Sequence, residues 1–208
     1  MKLWDKNNSV NEKIIEFTVG DDRLNDLYLI KYDIKASISH AKMLYRSNLL
    51  SETECDKIIN ILNEILSQAE AGELKIEKEF EDMHSKIEYI LTDKLGDIGK
   101  KIHTARSRND QVLVSIQLYL IDELNFIKTE VKSLFDLLIN LAKKNKNIIM
   151  PGYTHMRAAM PSSFGLWFSA YAEILIDDVI SLNSTIEIIN QNTLGSAAGY
   201  GTSFNIDR

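Results

Sequence analysis

Apolar residues recur every three or four positions along most of this chain, as they do on one face of an α-helix. A first stripe covers residues 27–44 and a second covers residues 55–69. Ser51 and Glu54 precede the second stripe at the spacing of a capping box, and Gly72 follows it. The pattern predicts two helices with a scaffold role. Three polar residues lie beside the first stripe: Asp33, Ser37 and His40.

Two further segments flank these stripes. Residues 1–23 are polar and aperiodic, which predicts an extended arm that ends in a turn at Gly20. Residues 80–95 predict a third helix with a glycine stop. Asp82 and His84 stand at its start, where acidic residues ordinarily only complement the helix dipole. If either side chain is functional, orienting a neighbouring group suits it better than chemistry.

The most regular pattern lies between residues 107 and 144. Its apolar residues form two seams with a spacing of seven: Leu113, Leu120, Ile127, Leu134 and Leu141 in one, and Leu124, Val131 and Leu138 in the other. One unbroken helix over this segment would be roughly 55 Å long at 1.5 Å per residue, several times the usual length. A helix of this length with a heptad seam is typical of a bundle assembled from several chains.

A second long helix is predicted after a short loop. The loop covers residues 148–160 and contains Thr154 and His155, and Pro161 stands at the natural first position of the helix. Apolar residues again recur every seven positions, at Phe168, Leu175, Leu182 and Ile189. Long helices joined by a short loop run antiparallel, so His155 and residue 107 are expected at opposite ends of the bundle. A site that used both would be shared between subunits.

These patterns predict an all-α fold with two parts. Residues 1–106 form a helical N-terminal domain with the extended arm. Residues 107–208 form the first part of a domain of long antiparallel helices in a multi-subunit central bundle. The stretch 192–202 is rich in small residues, which is typical of a loop that approaches a ligand or another backbone closely.

Composition and charge narrow the classes of function. Thirty acidic against 24 basic residues give a net charge of -6, which disfavours a nucleic-acid surface and suits a protein that handles small metabolites. The single cysteine excludes an internal disulfide, and the four scattered histidines do not form a zinc motif. There is no apolar signal segment and no apolar run of ~18 residues, so neither export nor membrane insertion is predicted. The expected location is the cytoplasm.

A dense polar cluster, His103–Asp110, stands directly before the first long helix. It contains two arginines, Arg106 and Arg108, together with Ser107 and Asn109. One interpretation is a helix N-cap built on Ser107. Two cations near the N-terminus of a helix are unfavourable, because the helix dipole is positive there. A bound anion would interact favourably with both arginines and with the free N–H groups. The residues themselves leave both interpretations open.

Four motifs resemble the argininosuccinate lyase family, a branch of the all-helical fumarase/aspartase superfamily. They are His-Thr-Ala-Arg-Ser-Arg-Asn-Asp at 103–110, Pro-Gly-Tyr-Thr-His at 151–155, Glu-Asp-Met-His at 81–84, and Leu-Gly at 194–195 with its small-residue tail. The resemblance runs from Leu3 to Arg208 and corresponds to the N-terminal half of the family. It implies a central bundle contributed by four subunits, a homotetramer with shared active sites, and a small C-terminal domain.

The resemblance also implies a reaction and its residues. The reaction is the reversible β-elimination of argininosuccinate to arginine and fumarate, a carbon–nitrogen lyase step of arginine biosynthesis without cofactor or metal. Such a step needs preorganised cations and donors where negative charge develops on a carboxylate. The family's substrate-contacting positions are matched by Ser107, Arg108, Asn109 and Thr154. The histidine of its acid–base machinery is matched by His155.

The chain departs from the family pattern at several positions. Ala105 replaces a usual glycine, a mild change if the backbone there is helical or extended. Arg157 and Met160 replace two glutamines, and Gly20 stands where many members have a serine. The family's flexible loop, with the serine assigned as catalytic base, lies beyond position 208. The chain is therefore expected to be a truncated copy that is inactive alone and prone to associate through its exposed seams.

Two other functions stay open from the sequence. One is another fumarate-releasing lyase of the superfamily that acts on a different amino-acid adduct. The other is a non-catalytic helical assembly protein, as in the lens crystallins that resemble this family. Fumarate release from argininosuccinate, compared with adenylosuccinate and aspartate, would separate the two enzymes.

Overall fold

The computed structural model describes residues 12–208. Within them the chain forms seven α-helices, namely α1 (Glu12–Val19), α2 (Asp22–Arg46), α3 (Glu52–Glu70), α4 (Met83–Leu95), α5 (Asp97–Lys100), α6 (Arg108–Lys144) and α7 (Phe164–Ile189). A 3₁₀ turn, Lys101–His103, follows α5. Two strands, β1 (Ile149–Thr154) and β2 (Arg157–Ser163), lie between α6 and α7. None of these helices is long and apolar enough to cross a membrane.

The described residues divide into two compact units. The first unit contains the residues up to Tyr119 together with Asn192–Arg208, and the second is Leu120–Gln191. Helix α6 contributes its N-terminal part to the first unit and its remainder to the second. The predicted domain boundary between residues 106 and 107 stays a prediction.

The core of the first unit lies among α2, α3 and α4. Each predicted apolar stripe supplies buried residues to it: Ile30, Ile34, Ala41 and Leu44 from α2, Cys55, Ile58, Leu62 and Ile65 from α3, and Met83, Ile87 and Leu91 from α4. The predicted capping box is present, since Ser51 N donates to Glu54 Oε2 (2.9 Å) and Glu54 N donates to Ser51 Oγ (3.3 Å). The three helices predicted from the periodicity of apolar residues are confirmed.

The N-terminal segment differs from the predicted extended arm. Residues 12–19 form helix α1, so the prediction was wrong there, and residues 1–11 lie outside the described residues. The segment contains neither glycine nor proline, and its last residue, Val19, is buried. Packing of this end stabilises a short helix that periodicity alone did not reveal. The predicted turn follows at Gly20, whose φ is 50°.

In the second unit, α7 lies antiparallel to α6, as predicted. Lys128 Nζ on α6 donates to Asn183 Oδ1 on α7 (2.7 Å). Near the other end of the pair, a Cβ on Gly165 would lie 2.7 Å from the Cα of Lys146. The small residue at this position lets the start of α7 approach the backbone at the end of α6.

The two heptad seams of α6 have different environments. The second seam and the seam of α7 are half-buried, at Leu124, Val131, Leu138, Phe168, Leu175, Leu182 and Ile189. Most of the first seam is exposed, with 47% at Leu113, 37% at Leu120, 43% at Ile127 and 47% at Leu134. A long apolar stripe of this kind is unusual on the surface of a monomer.

The loop predicted before α7 is instead a β-hairpin, and Pro161 does not start the helix. Strands β1 and β2 pair antiparallel, with Pro151 opposite Pro161. Helix α7 begins at Phe164, because Ser163 Oγ accepts a hydrogen bond from Leu166 N (3.1 Å) and caps the helix there. A serine N-cap therefore determined the helix start in place of the proline signal.

Candidate active site

The cluster His103–Asp110 enters α6 through a well-formed N-cap. Ser107 N donates to Asp110 Oδ1 (2.9 Å), and Asn109 N donates to Ser107 Oγ (3.4 Å). The Asp110 carboxylate returns to the N-cap N–H as in a capping box, while Ser107 Oγ accepts from the second helical residue rather than the third. The cap interpretation of Ser107 is confirmed. The cap also places Arg108 and Asn109 in the first helical turn, where the dipole and free N–H groups favour an anion.

Asp110 joins the small-residue tail to this helix start. Its Oδ2 accepts a hydrogen bond from Ala197 N (2.9 Å), and its carbonyl oxygen accepts one from Thr193 Oγ1 (3.2 Å). The tail thus approaches the first turn of α6 closely, as its composition predicts. The carboxylate of Asp110 is 4% exposed and its two oxygens are both used in these backbone contacts. Its role in the structure is to hold the loop and the cap together.

Ala105 has a left-handed backbone conformation, with φ 57°. The condition under which alanine would be a mild replacement for glycine, a helical or extended backbone, is therefore not met here. An L-residue with a Cβ is strained in this region, whereas glycine is not.

Ala105→Gly is therefore expected to raise the free energy of unfolding by about 0.5–1 kcal/mol, which is the strain removed less the extra entropy of glycine in the unfolded chain. The matched control is Ala36→Gly in the interior of α2, where glycine is expected to lower stability by about 1 kcal/mol or more. Urea unfolding followed by circular dichroism measures both changes. A loss of stability in both variants would contradict the strain at Ala105.

The guanidinium of Arg108 lies among four oxygen atoms: Gln111 Oε1 (3.4 Å), Ser85 Oγ (3.5 Å), Asp82 Oδ2 (3.6 Å) and Glu88 Oε2 (3.8 Å). Its side chain is 22% exposed. None of these contacts is as short as the roughly 2.7–2.9 Å of a charge-assisted hydrogen bond. A carboxylate of a ligand could therefore form shorter hydrogen bonds to Arg108 than its present neighbours do.

Glu88 of α4 balances the charge of this cluster. Its Oε1 lies 3.0 Å from His103 Nδ1 and 3.8 Å from Arg106 Nη2, and its Oε2 lies 3.8 Å from Arg108 Nη2. One carboxylate thus faces both arginines of the cluster. Its side chain is 14% exposed, so solvent screens these interactions only partly.

A buried polar network lies beside the arginines, centred on Asp33 of α2. Asp33 Oδ1 accepts hydrogen bonds from Gln111 Nε2 (2.9 Å) and Ser115 Oγ (3.5 Å), both on α6. His84 Nδ1 of α4 lies 3.0 Å from the same oxygen, without the alignment of a hydrogen bond. Burial raises the pKa of Asp33, and the positive charges of Arg106 and Arg108 oppose this effect. The network connects three helices through one fully buried carboxyl group.

Arg106 belongs to the same interior. Its side chain is 1% exposed, and Nη1 donates to Ser37 Oγ on α2 (2.8 Å). His40, one turn further along α2, contributes Nε2 to a hydrogen bond with the carbonyl oxygen of Thr104 (2.9 Å). The segment before α6 is therefore anchored to α2 on both sides of Ala105.

Two groups near this network have shifted pKa values of opposite sign. Burial raises the pKa of Asp26 to about 6, the hydrogen bond from Met83 N opposes this, and the neighbouring carboxylate of Asp82 adds to it. Burial lowers the pKa of His40 to about 4, and the positive charge of Arg106 lowers it further. Protonation of Asp26 favours the folded state, whereas protonation of His40 disfavours it.

The two groups are expected to produce opposite pH dependences of stability. Asp26 contributes to the free energy of unfolding below about pH 4, and this contribution is lost as pH rises to 6. His40 contributes above about pH 6.5, and its contribution is lost as pH falls to 4. Relative to the unmodified chain, Asp26→Asn should become more stable as pH rises through this window. His40→Gln should become less stable, by on the order of 1–3 kcal/mol in total. Urea midpoints between pH 4 and 7 test this, and parallel curves for both variants would contradict it.

Asp82 and His84, predicted to orient neighbouring groups, both contact the network. Asp82 Oδ1 accepts a hydrogen bond from Ser85 N (2.7 Å) and caps α4, while its Oδ2 faces Arg108. His84 is 2% exposed and contacts Asp33 rather than solvent. The structure thus brings five predicted residues together in the first unit: Asp82, His84, Ser107, Arg108 and Asn109. Their roles toward a substrate stay predictions.

Thr154 and His155 belong to the second unit, at the tip of the hairpin. His155 and Met156 form its two-residue turn, with φ values of 49° and 63°, as a type I′ turn requires. Thr154 pairs with Arg157 across the turn, and Thr154 and His155 are exposed. Pairing of the strands thus presents His155 at the tip of the hairpin, and its role in acid–base chemistry stays a prediction.

Sequence reasoning missed four residues that surround the arginines. Asp33 and Ser37 were assigned to a scaffold helix, and Glu88 and Gln111 were given no role. A signal was present on α2, where Asp33, Ser37 and His40 recur at helical spacing beside the apolar stripe. Polar residues at that spacing on a core helix indicate a buried partner, because buried polar groups are paired.

A family model described as "Lyase" matches residues 15–208, and the chain therefore belongs to this lyase family. Its relatives include the argininosuccinate lyase of Phocaeicola vulgatus, 53% identical over 207 residues, and that of Bacteroides fragilis, 49% identical over 207 residues. Each match covers 100% of this chain and 46% of the relative. The chain thus spans about half the length of the lyases it matches.

Solved structures of two lyases share the fold. EDDS lyase in complex with formate superposes with a TM-score of 0.78 and 23% identity, over 86% of this chain and 35% of that one. The fumarate lyase:delta crystallin from Brucella melitensis bound to cobalt gives a TM-score of 0.77 and 19% identity, over 95% and 46% of the two chains. The predicted helical fold class is confirmed, with the hairpin as a small addition.

Proposed function

We propose that this chain is the N-terminal part of a cytoplasmic argininosuccinate lyase, which cleaves argininosuccinate reversibly to arginine and fumarate. A base takes a proton from the carbon next to a carboxylate, the carbon–nitrogen bond breaks as the carbon–carbon double bond forms, and the departing guanidino nitrogen receives a proton. The observation that carries this proposal is the match of the whole chain, at 53% identity, to a lyase of that name.

In this proposal the start of α6 binds a carboxylate of the substrate. Arg108 supplies a charge that is only loosely paired, and Ser107 and Asn109 add donors in the first turn of the helix. Negative charge builds on the carboxylate next to the carbon that loses its proton, so a cation fixed in advance lowers the barrier. Thr154 contacts substrate, and His155 takes part in proton transfer, for which an imidazole is suited near neutral pH.

The proposed assembly is a homotetramer with active sites shared between subunits. The first heptad seam of α6 supports this, because its leucines are exposed over a long stripe. Long helices such as α6 and α7 are also of the kind that packs into bundles. Covering the seam in an assembly would remove its apolar surface from water.

The test combines this chain with a separately produced C-terminal half of the Phocaeicola vulgatus lyase, the part that follows the match. Fumarate absorbance is followed after argininosuccinate is added, and adenylosuccinate and aspartate are added in parallel. We expect turnover of argininosuccinate alone, and only when both halves are present. Size-exclusion chromatography with light scattering should show a complex that contains four copies of each half.

Two results would overturn the proposal in different ways. A folded complex of both halves that releases no fumarate from any substrate would exclude catalysis by this chain and favour an assembly role. Preferential release from adenylosuccinate or aspartate would assign a different lyase reaction to the same site.

A further inference from the structure

Gln111 lies between the buried carboxyl group of Asp33 and the guanidinium of Arg108. Gln111 is 1% exposed, and both ends of its side-chain amide form hydrogen bonds. Nε2 donates to Asp33 Oδ1 (2.9 Å), and Oε1 accepts from Arg108 Nη1 (3.4 Å). The second contact is the shortest of the four that surround the guanidinium. Gln111 therefore connects α2, through Asp33, to the partly exposed cation of the candidate active site.

One orientation of the amide suits both of its partners. Asp33 Oδ1 accepts hydrogen bonds, so the NH₂ group of Gln111 must face it, and a guanidinium only donates, so the carbonyl oxygen must face Arg108. A reversed amide would place its oxygen against Asp33 Oδ1 and its NH₂ group against the N–H groups of Arg108. Asp33 thus determines which end of Gln111 meets Arg108.

We propose that Gln111, oriented by Asp33, is a positioning residue that holds the guanidinium of Arg108 at the start of α6. This inference rests on the proposed function, in which Arg108 binds a substrate carboxylate. Gln111 supplies the nearest of the four oxygens and is itself fixed by Asp33, so its loss would widen the range of positions open to the guanidinium. A cation that is not fixed in advance stabilises developing charge less.

The direct test is side-chain NMR of the 208-residue chain with ¹⁵N-labelled arginine, in which Arg108→Lys assigns the signal. In Gln111→Met, a change that keeps the size but removes the amide, rotation about the Cζ–Nε bond of Arg108 should become about tenfold faster, the change expected when a hydrogen bond to a charged group is lost. Ser115→Ala is the matched control, because it removes a hydroxyl that contacts Asp33 and the backbone carbonyl of Gln111 but leaves the Gln111 amide and Arg108 in place. Its Arg108 signal should stay unchanged.

A reversal of the amide tests the role of Asp33 itself. In Asp33→Asn, an NH₂ group can face Gln111, which allows the amide to turn its own NH₂ toward Arg108 and lose the contact. The double change Asp33→Asn with Gln111→Glu restores both partners, since the new amide donates to the new carboxylate, which accepts from Arg108. The total charge is also restored. Slow rotation of the Arg108 guanidinium should return in the double variant alone, because a charge-assisted hydrogen bond to the new carboxylate replaces the contact with the amide oxygen.

A catalytic measurement complements the NMR in the mixture of halves described above. Gln111→Met should lower kcat/KM for argininosuccinate by about tenfold, and the double variant should recover most of it. If the unmodified mixture has no activity, the proposed function fails, and the NMR comparison still decides the positioning role. Unchanged Arg108 signals in Gln111→Met, or in Gln111→Leu if Gln111→Met does not fold, would overturn the positioning role.

Discussion

Arg106→Met is expected to lower the free energy of unfolding by about 3–5 kcal/mol, because it leaves the carboxyl groups of Asp33 and Glu88 without the buried cation that compensates them. The side chain of Arg106 is 1% exposed and donates to Ser37, and its charge opposes the effect of burial on the carboxyl group of Asp33. Methionine keeps the apolar stem but removes that charge. Urea unfolding at pH 7, followed by circular dichroism, measures the loss.

Two comparisons separate this effect from a general sensitivity to arginine loss. Arg46→Met removes an exposed arginine that lies 3.8 Å from Asp207, and it should change stability by less than about 1 kcal/mol. The deficit of Arg106→Met should also shrink as pH falls, because protonation of Asp33 removes the uncompensated charge. Equal losses in Arg46→Met and Arg106→Met, or a deficit independent of pH, would contradict the role given to Arg106.

Arg108→Met is expected to lower kcat/KM for argininosuccinate by about 10²–10³-fold in the mixture of halves, the range found when a preorganised donor to developing charge is removed. The side chain is 22% exposed, and its contacts with protein oxygens are all 3.4 Å or longer. Its removal should therefore change stability much less than the removal of Arg106 does. Fumarate absorbance at several substrate concentrations gives kcat and KM separately.

The control for Arg108→Met is again Arg46→Met, since Arg46 lies on the surface at the end of α2 and outside the cluster before α6. Its kinetics should match those of the unmodified chain. Arg108→Lys keeps the charge without the planar fork and should retain an intermediate rate. Activity of Arg108→Met within threefold of the unmodified mixture, about 0.7 kcal/mol in transition-state stabilisation, would exclude a substrate role for this residue.

Much of the fold could be predicted from local patterns. The stripes on α2 and α3, the capping box at Ser51 and the span of α6 all depend on neighbours within a few turns, so periodicity reveals them. The hairpin was missed because Pro161 predicted an earlier start of α7. The Ser163 cap starts that helix instead, and the residues before it pair as two strands around a type I′ turn. Helix α1 was missed because its short sequence carries no complete apolar stripe.

The candidate site was predictable only where a motif carried it. Ser107, Arg108 and Asn109 were singled out by a dense polar cluster before a helix, and the structure adds that Ser107 and Asp110 form its cap. The partners of the arginines were missed, since they come from helices assigned to scaffold. Asp33 and Gln111 are 78 residues apart, and no local pattern joins them.

The sequence by itself determined where α2, α3, α4 and α6 form and which of their faces are apolar, because these properties depend on residue type and spacing within single elements. Only the tertiary structure decided that Asp33 is buried against Gln111, that Glu88 faces both arginines, and that the first heptad seam remains exposed. It also decided that the backbone at Ala105 is left-handed. Each of these follows from the packing of distant segments, which sets burial, charge pairing and backbone strain together.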